Sequence, residues 1–516
     1  MTMKGTMIRR SFRLRMGWVL VAVFMAASVQ AQTGEDALRF ASRFPGTGPV
    51  TTALGGAGVA GVGDFSAFFI NPAGLGFLAR TTVSGSLATL AASEDGLFRV
   101  PGFDNARQND VTDTGLGHLA YLYRFPTRRG SLVAGVALSQ TYSFERDLLF
   151  EGRNPNNSIT DFFMPLPGEF TLEEDNDGIF PVFTRDLSFI AFETFAIDLD
   201  PDLVDAGDPV PFVPAVTRGT VAQTGSVTET GRMQELNVGG AFEAARGLMV
   251  GLSLNVPFGT YDFLRLFEEE DVENANDGTN GTTDFDFLRL EETVRSELVG
   301  VNVRAGISAR VSPGLRIGFT VETPTVYDID ESFDTRLETF FDNGDVFVYG
   351  DQVSEDAGSG VFEYDITTPW RLGAGAAYRA GGLALAADVE FVDWSQLELD
   401  ASGFSFADEN RRIRRAYDAV VNTRLGVAYD LGQLVLRGGF AYYPDPRDTR
   451  DTLDRSRTYV SAGFGYRVSE QFRFDFGWMQ ERFDDQYQPY VEVTEAPVVD
   501  EEVVRNRFVL GFTVRF

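Results

Sequence analysis

Residues 503–516 read VVRNRFVLGFTVRF, and this stretch decides the fold. Between 508 and 516 every second residue is apolar, and the residues in between include glycine, threonine and arginine. A repeat of two is the side-chain period of a β-strand with one apolar face. The same alternation, with aromatic residues on the apolar side, occurs at 457–467 and 470–483.

The apolar faces of these strands indicate contact with lipid. A soluble β-sandwich also alternates, but it buries its apolar face in a shared core and seldom needs strands this long with repeated aromatics. In an outer-membrane barrel the outward face is apolar and aromatic residues gather at the headgroups. We expect such a belt, with burial in a core as the alternative, from the tyrosines near predicted strand ends, which are Tyr429, Tyr442, Tyr443, Tyr459 and Tyr466.

Following the alternation through the chain yields fourteen candidate strands. They lie near 80–93, 116–125, 131–148, 229–245, 247–265, 293–311, 314–337, 364–379, 382–399, 412–430, 433–443, 457–467, 470–483 and 503–516. Short turns alternate with long connections rich in Asp, Asn and Gly, at 94–115, 149–228, 266–292, 338–363, 400–411, 444–456 and 484–502. An even number of strands with this alternation predicts an all-β, transmembrane, antiparallel up-and-down barrel with both termini in the periplasm.

The composition limits the compartment and the partners. Residues 1–31, with basic residues ahead of an apolar run at 16–27, are predicted to be a secretory signal. The formal net charge is −31, which argues against nucleic acid as a partner. The chain has no cysteine, so disulfides and thiolate metal sites are excluded. Lys4 is the only lysine, so every cation after the signal is an arginine.

Residues 32–79 precede the first strand and are predicted to lie in the lumen as a hatch, leaving 80–516 for the barrel. A glycine-rich run at 54–64 lets the backbone pack closely in a confined space. The motif that follows favours a turn, because Asn caps and Pro fixes φ; it consists of Asn71, Pro72, Ala73 and Gly74. The glycine-rich run lacks the strand, helix and acidic residue of a dinucleotide-binding loop, and no cofactor is predicted.

Taken together, these features resemble the FadL family of outer-membrane transporters for long-chain fatty acids and other hydrophobic compounds. The resemblance rests on 71–74 after the glycine-rich run, and on four further stretches at 312–318, 369–373, 436–442 and 463–467. It implies a fourteen-stranded barrel closed by an amino-terminal hatch that contains Asn71, Pro72 and Ala73. It also implies capture of ligand in an outer groove, passage to a lumen pocket and release through a gap made by a kinked strand. The candidate for that strand is 131–148, which has no proline and only Gly135 as a soft point.

Two sets of residues are candidates for ligand contact. The long loop 149–228 carries apolar residues that either form a groove or pack the loop onto the barrel rim, namely Phe162, Phe163, Met164, Leu166, Leu187, Phe189, Ile190, Phe192 and Phe195. Inward-facing arginines are possible partners of a ligand carboxylate, with ion pairs to neighbouring Asp or Glu as the alternative; these are Arg424, Arg437, Arg473 and Arg507. The acidic runs at 173–177 and 268–271 lack the spacing of an EF-hand, so no metal site is predicted. His118 is the only histidine and no G-x-S-x-G elbow accompanies it, so no enzyme is predicted.

We therefore expect an outer-membrane carrier of hydrophobic small molecules, most of all long-chain fatty acids, that is gated by its hatch. Its partners would be the ligand, outer-membrane lipid and, during biogenesis, the outer-membrane assembly machinery. Asn71→Ala is expected to slow passage more than binding, because the motif gates the hatch. Two alternatives stay open: a docking or shuttle protein of a secretion system built on the same barrel, and a general porin, whose wet lumen a hatch argues against.

Overall fold

A computed structural model describes residues 33–175, 178–279, 283–350, 357–447 and 453–516. The predicted signal at 1–31 lies outside the described residues. Fourteen antiparallel crossings form a closed barrel, in which the first strand pairs with the last from Thr82 opposite Arg515 to Arg99 opposite Val498. The predicted all-β up-and-down barrel is thereby confirmed.

The strands are, in chain order, β1 (Thr82–Val100), β2 (Phe103–Arg124), β3 (Leu132–Ser143), β4 (Arg146–Asn154), β5 (Phe170–Asp175), β6 (Gly178–Phe183), β7 (Ile197–Leu199), β8 (Phe212–Pro214), β9 (Val221–Ala245), β10 (Leu248–Glu270), β11 (Phe285–Arg310), β12 (Leu315–Glu322), β13 (Val326–Phe341), β14 (Val346–Tyr349), β15 (Gly360–Thr367), β16 (Arg371–Ala380), β17 (Leu383–Asp393), β18 (Glu398–Asp400), β19 (Ala419–Asp430), β20 (Leu434–Tyr443), β21 (Arg457–Arg467), β22 (Phe472–Tyr487) and β23 (Val498–Arg515). The third, seventh, eighth and ninth crossings each consist of two strands, namely β3 with β4, β12 with β13, β15 with β16 and β17 with β18. Strands β5 to β8 and β14 belong to the loops.

Helices occur in the amino-terminal residues and in the loops. They are α1 (Gly34–Phe40), α2 (Pro49–Ala53), α3 (Ala67–Ile70), α4 (Ile159–Phe163), α5 (Asp186–Glu193), α6 (Pro201–Ala206) and α7 (Ala407–Ala416), with short 3-10 helices at Pro72–Phe77 and Trp394–Gln396. Within the described residues, no helix has the length and apolarity needed to cross a membrane.

The outer face of the barrel carries an apolar band. On β2, Leu119 and Tyr121 are exposed and alternate with the buried residues Ala120 and Leu122. Exposed apolar side chains continue the band around the barrel, among them Leu87, Val136, Val238, Leu252, Leu254, Val301, Ile307, Phe319, Leu385, Leu425, Phe440, Phe464, Leu510 and Phe512. One apolar outward face on every crossing is what contact with lipid requires.

The predicted tyrosine belt is partly wrong. Tyr429, Tyr442 and Tyr466 are exposed on the outer face. Tyr443 accepts a hydrogen bond from Arg424 in the lumen, and Tyr459 is buried there. Adjacent residues of a strand point to opposite faces, so Tyr442 and Tyr443 cannot both meet the headgroups.

The predicted loop 94–115 is wrong. Strands β1 and β2 run on beyond the apolar band and meet at a turn formed by Pro101 and Gly102, where Gly102 has a φ of +91°. This part of β2 is polar on both faces, so it has no apolar alternation by which a strand could be detected.

The start of the predicted strand 412–430 is wrong as well, because it lies in α7. Acidic Asp408 and Glu409 occupy the first turn of this helix, and basic Arg414 and Arg415 occupy the last. That order suits the helix dipole. The strand, β19, begins only at Ala419.

Three neighbouring crossings are interrupted side by side. Pro324 separates β12 from β13, and Pro369 separates β15 from β16, because proline cannot donate to a ladder. The two breaks are joined by the Thr325 amide, which donates to Oγ1 of Thr368 at 2.9 Å. The ninth crossing breaks beside them at the 3-10 helix that begins with Trp394. Apolar residues near these breaks form one core with α1, so the interrupted crossings are where the amino-terminal helix packs against the wall from inside.

Residues 155–220, which we call the cap, fold over the end of the barrel that carries the long loops. Strands β4 and β9 take up both ends of the predicted loop 149–228. One apolar core joins the cap to the strand ends, with Phe163 and Ile190 from the cap packed with Phe150 and Phe267 from the barrel. A shared core of this kind fixes the cap on the barrel.

Candidate ligand pathway

Residues 33–81, which we call the amino-terminal segment, lie inside the barrel. Side chains of the wall bind its backbone: Ser308 donates to the carbonyl of Ala60 at 2.6 Å, and Asp388 accepts from the amide of Gly58 at 2.6 Å. Buried backbone groups away from regular structure need such partners. The segment is therefore attached to the wall by directed hydrogen bonds as well as by apolar packing.

Asn71 joins two parts of the segment to β11. It is fully buried, and its amide nitrogen donates to the carbonyls of Val59 and Ile307 at 2.6 and 3.1 Å. Its side-chain oxygen accepts from the amide of Ala73 at 3.0 Å. The wall leaves room for this side chain only because residue 306 is Gly306, where a Cβ would come 1.9 Å from Oδ1 of Asn71.

The other motif residues are buried as well. Pro72 and Ala73 lie against Gly251 of β10, where a Cβ would come 2.3 Å from their backbone atoms. Gly74 packs on the carbonyl of Val62. The predicted motif is thus a contact between the segment and the barrel wall, built on close backbone approach.

A buried ion network also attaches the segment to the wall. Arg43 of the segment pairs with Glu322 at 2.8 Å and with Glu390 at 3.0 Å. Glu322 is shared with Arg304 at 2.9 Å, and Glu390 is shared with Arg424 at 2.8 Å. Removing one member of a buried ion pair leaves an uncompensated charge, which is costly. The network therefore fixes the segment at Arg43.

A cavity of about 170 Å³, which we call the arginine cavity, lies beside α1. Eight of its lining residues are arginines, against four acidic residues. The arginines are Arg39, Arg43, Arg146, Arg371, Arg447, Arg455, Arg457 and Arg505, and the acidic residues are Glu35, Glu229, Asp485 and Glu501. Seven of these arginines are ion-paired with carboxylates, some of which lie outside the lining, as Glu481 does for Arg457. Arg505 is the lining arginine without a carboxylate within 4.0 Å among the described residues, so an anion would find its partner there.

The arginines of this cavity differ in how they are partnered. Arg146 binds three carboxylates, namely Glu94 and Glu229 at 2.9 Å each and Glu501. Arg505 is 6% exposed and donates to the hydroxyl of Tyr142 at 3.0 Å. Its buried Nε–H has no hydrogen-bond partner in the part of the chain that the structure describes. A buried donor left unpaired is costly, so Arg505 is the group of this cavity best placed to accept a new anionic partner.

A second, larger cavity of about 340 Å³ lies on the other side of α1, and Glu35 and Arg39 line both. We call it the aromatic cavity, after Phe40, Tyr261, Phe263, Phe333 and Tyr487 in its lining. Its volume is within the range of small-molecule sites. Five carboxylates and two arginines line this cavity as well, so its aromatic rings lie among charged groups.

The predicted groove residues of the cap fall into three groups. Phe162, Phe163 and Ile190 are buried in the shared core. Met164, Leu187, Phe189 and Phe192 are partly buried against it. Leu166 and Phe195 are exposed, at 50% and 43%. Most of the set therefore packs the cap onto the barrel, which is the alternative that the sequence left open.

The predicted carboxylate partners lie elsewhere than the arginine cavity. Arg424 belongs to the ion network, and Arg437 and Arg473 both pair with Asp475, at 3.0 and 2.6 Å. Arg507 donates to the carbonyl of Gly46 at 2.7 Å and so holds the segment. The structure thus pairs three of the four with carboxylates and the fourth with backbone.

Sequence reasoning missed the arginines that line the cavity. Arg505 and Arg507 stand on the same face of β23, and the alternation of that strand correctly turns both into the lumen. Whether an arginine on this face borders a cavity depends on which part of the lumen the amino-terminal segment fills. Strand periodicity carries no information about that. The signal that could have found Arg505 is its spacing of two residues from Arg507, which puts both on the inner face of β23.

A slot opens in the wall between the second and third crossings. The β2–β3 ladder ends at the pair of His118 and Ser139, although β2 continues to Phe103 with β1 as its ladder partner. Opposite β9, strand β3 has a bulge between Gln140 and Tyr142. The predicted kinked strand, 131–148, is therefore the crossing at which the wall is interrupted.

The slot arises because β4 does not continue in line with β3. Strand β4 instead lies on the lumen side of β1, where the ring of Phe150 stacks on that of Phe98 with centroids 6.2 Å apart. Farther along, Asn105 of β2 donates to the carbonyl of Glu151 of β4 at 3.0 Å, so the two strands approach each other again. The slot is bounded by this contact at one end and by the β2–β3 ladder at the other.

Comparison with known proteins begins with sequence. A profile of the family described as "Outer membrane protein transport protein (OMPP1/FadL/TodX)" matches residues 219–487. Alkane uptake protein A of Marinobacter nauticus is 24% identical over 267 residues, which cover 48% of this chain and 56% of that protein. The chain thus matches little more than half the length of this curated relative.

Solved structures share the fold. A Pseudomonas aeruginosa FadL homologue is similar with a TM-score of 0.51 and 12% identity, over 92% of this chain and 100% of that chain. The Pseudomonas putida toluene transporter TodX is similar with a TM-score of 0.50 and 13% identity, over 92% of this chain and 99% of that chain. At identities this low, the likeness concerns the fold and not the ligand.

Proposed function

The chain belongs to the outer membrane protein transport protein family (OMPP1/FadL/TodX), and from this premise we propose that it carries hydrophobic small molecules across the outer membrane. The ligand class that its lumen suits best is a long-chain fatty acid, an apolar chain with one carboxylate. Residues 32–79 act as the hatch, 80–516 form the barrel, and both termini lie in the periplasm.

The arginine cavity carries this proposal. A fatty-acid carboxylate on Arg505 satisfies the donor that is buried there without a partner. The apolar chain then extends past α1 into the aromatic cavity. Each methylene moved out of water contributes about 0.8 kcal/mol, so the chain supplies most of the affinity and the arginine selects the headgroup.

The route begins at the cap and ends at the slot. The exposed cap residues Leu166 and Phe195 offer a first apolar contact to a ligand at the cell surface. The slot offers a sideways exit, so the chain passes into lipid without crossing water. The hatch closes the lumen below the cavities, and Asn71 holds it against β11.

Relatives named for neutral hydrocarbons suggest a different ligand within the same class. Alkane uptake protein A and the toluene transporter TodX are named for molecules without charge. A neutral hydrocarbon has no use for the Nε–H of Arg505, which is buried without a hydrogen-bond partner among the described residues. We therefore favour a carboxylate ligand for this chain, and the comparison of oleate with an alkane decides between the two.

The test measures uptake and binding separately. Cells lacking their own transporter receive wild type, Asn71→Ala, Arg505→Gln or empty vector, and uptake of labelled oleate and labelled hexadecane is followed. Binding of both ligands to the purified proteins is measured in parallel. Arg515→Gln, on the same strand but outside the cavity, is the matched control.

We expect wild type to restore oleate uptake and Asn71→Ala to slow uptake more than binding. Loss of a charged hydrogen bond worth about 2 kcal/mol should weaken oleate binding by Arg505→Gln roughly thirtyfold, with hexadecane and Arg515→Gln unaffected. Hexadecane uptake without oleate uptake would replace the fatty acid by an alkane. A folded wild type that takes up neither would contradict the carrier and favour the docking protein of a secretion system.

A further inference from the structure

An ion pair bridges the slot between β2 and β3. Nη2 of Arg232 lies 3.0 Å from Oδ1 of Asp113. Arg232 belongs to β9 and Asp113 to β2, so the pair spans the interruption in the third crossing. The guanidinium rests on the backbone of Gly115, where a Cβ would come 2.0 Å from Nη1 of Arg232.

The pair stands between the arginine cavity and the apolar band. On the inner side of the slot, Tyr142 and Phe144 of the interrupted third crossing line the arginine cavity. On the outer side, the residue next to Gly115 is Leu116, which is 39% exposed and belongs to the apolar side of β2.

The ion pair of Arg232 and Asp113 is less enclosed than the neighbouring ion pairs of Arg146. The side chains of Arg232 and Asp113 are 35% and 19% exposed, so protein encloses this ion pair only in part. Arg146, close by in the lumen, instead holds three carboxylates with a side chain only 16% exposed. Arg232 is therefore held by fewer carboxylates than Arg146 and is less enclosed.

Opening this junction requires no change in strand pairing. Between 103 and 117, the ladder partner of β2 is β1 alone among the described residues. The group that rests on Gly115 there is the flexible side chain of Arg232 and not backbone, so it can rotate while the ladders stay intact.

We propose that Arg232 and Asp113 form a latch that keeps the lateral slot closed until a ligand displaces the guanidinium. The latch rests on the proposed function, because it regulates the exit of an apolar ligand from the same lumen. It makes Arg232 and Asp113 control the rate of release, with no part in holding the carboxylate.

The absence of cysteine from the chain allows a test that needs no ligand. Thr141, at the bulge that borders the slot, is 6% exposed and is replaced in Thr141→Cys as a unique thiol. Its reaction rate with a small maleimide is measured in lipid vesicles, alone and combined with Asp113→Asn, Arg232→Gln, Gly115→Ala or both members of the pair. Ser461→Cys, a buried lumen position 5% exposed and distant in sequence from the slot, is the control thiol.

We expect each single change to speed labelling of Thr141→Cys about tenfold, and the double change Asp113→Asn with Arg232→Gln to add nothing further, since both break the same contact. Gly115→Ala should act likewise by displacing the guanidinium, whereas Arg232→Lys should stay near the wild-type rate. Labelling of Ser461→Cys should not change.

Oleate binding by the same variants separates this proposal from the proposed function. Unchanged labelling in all three single variants, or strictly additive effects in the double variant, would overturn the latch even if oleate binds normally. Faster labelling in a protein that binds no oleate would support the latch and count against the fatty-acid ligand alone.

Discussion

Replacing Asn71 by alanine should release the amino-terminal segment from the wall without unfolding the barrel. The side chain is fully buried and makes three hydrogen bonds of 3.1 Å or less, to the carbonyls of Val59 and Ile307 and from the amide of Ala73, besides a longer one of 3.4 Å to the carbonyl of Phe319. Alanine removes all three and leaves the carbonyls of Val59 and Ile307 without this donor. Water does not take the place of the lost donor at either carbonyl, because the site is too closely packed to hold it.

The magnitude follows from the number of contacts. A buried hydrogen bond contributes about 1 kcal/mol net, so losing three costs about 3 kcal/mol. The same energy corresponds to a roughly hundredfold rise in the population whose segment is detached and locally unfolded, since the bonds to Val59 and Ala73 lie within the segment and are lost only when it unfolds. The cost falls on the segment and not on the barrel, because the ladders of β10 and β11 do not involve the Asn71 side chain.

Hydrogen exchange in lipid nanodiscs measures this population directly. Peptides from 55–78 should exchange about a hundredfold faster in Asn71→Ala than in wild type, by the energy above. Peptides from β10 and β11 should be unchanged. The matched control is Asn302→Ala, which removes a buried amide that binds Asn255 and Thr325 of the wall and should leave the segment protected. Equal exchange of 55–78 in both proteins would refute the anchoring role, and faster exchange throughout the barrel would show that the effect is global.

Three further outcomes are expected. Burial raises the pKa of Glu269 to about 7; this residue lies at the cap end of β10, beyond the apolar band, and accepts a hydrogen bond from the amide of Ile159 in the cap, so the folded state favours the protonated acid. The resulting stability is present below about pH 4.5 and is lost as the pH rises through 7, by roughly 3 kcal/mol. Limited proteolysis of the cap should therefore be faster at pH 8 than at pH 5.5, and Glu269→Gln should remove the difference. Gly306→Val should detach the segment as Asn71→Ala does, since its Cβ would come 1.9 Å from Oδ1 of Asn71, and equal hydrogen exchange at 55–78 would contradict this. Phe163→Ala, in the fully buried cap core, should cost about 4 kcal/mol and speed proteolysis within 155–220, whereas the half-exposed Leu166→Ala should not.

The barrel could be predicted from sequence because lipid imposes a simple pattern on each crossing. Phe508, Leu510 and Phe512 must all face outward, so alternation reveals the strand and its orientation together. The same rule fails where strands leave the bilayer. The extension of β2 that begins at Phe103 meets water on one side and protein on the other, and both tolerate polar residues.

The ligand pathway could be predicted only in outline. Asn71 was recognisable because its motif has a local turn chemistry, and the structure places it at a contact between segment and wall. The arginines were not separable from sequence, since Arg505 and Arg507 share a strand face and differ only in what lies opposite them across the lumen. Contacts between residues more than 350 positions apart, such as Arg505 with Tyr142, leave no trace in local periodicity.

The inward step of β4 also leaves β2 with an edge that β3 does not cover. Unpaired strand edges invite backbone pairing with another chain, and two barrels side by side in a membrane would bring such edges together. Here the edge sequence from 103 to 114 reads FDNARQNDVTDT, in which aspartates and an arginine interrupt every apolar run. Charges so placed disfavour pairing of this edge with the edge of a second barrel, so the interruption of the wall need not become a site of association between barrels.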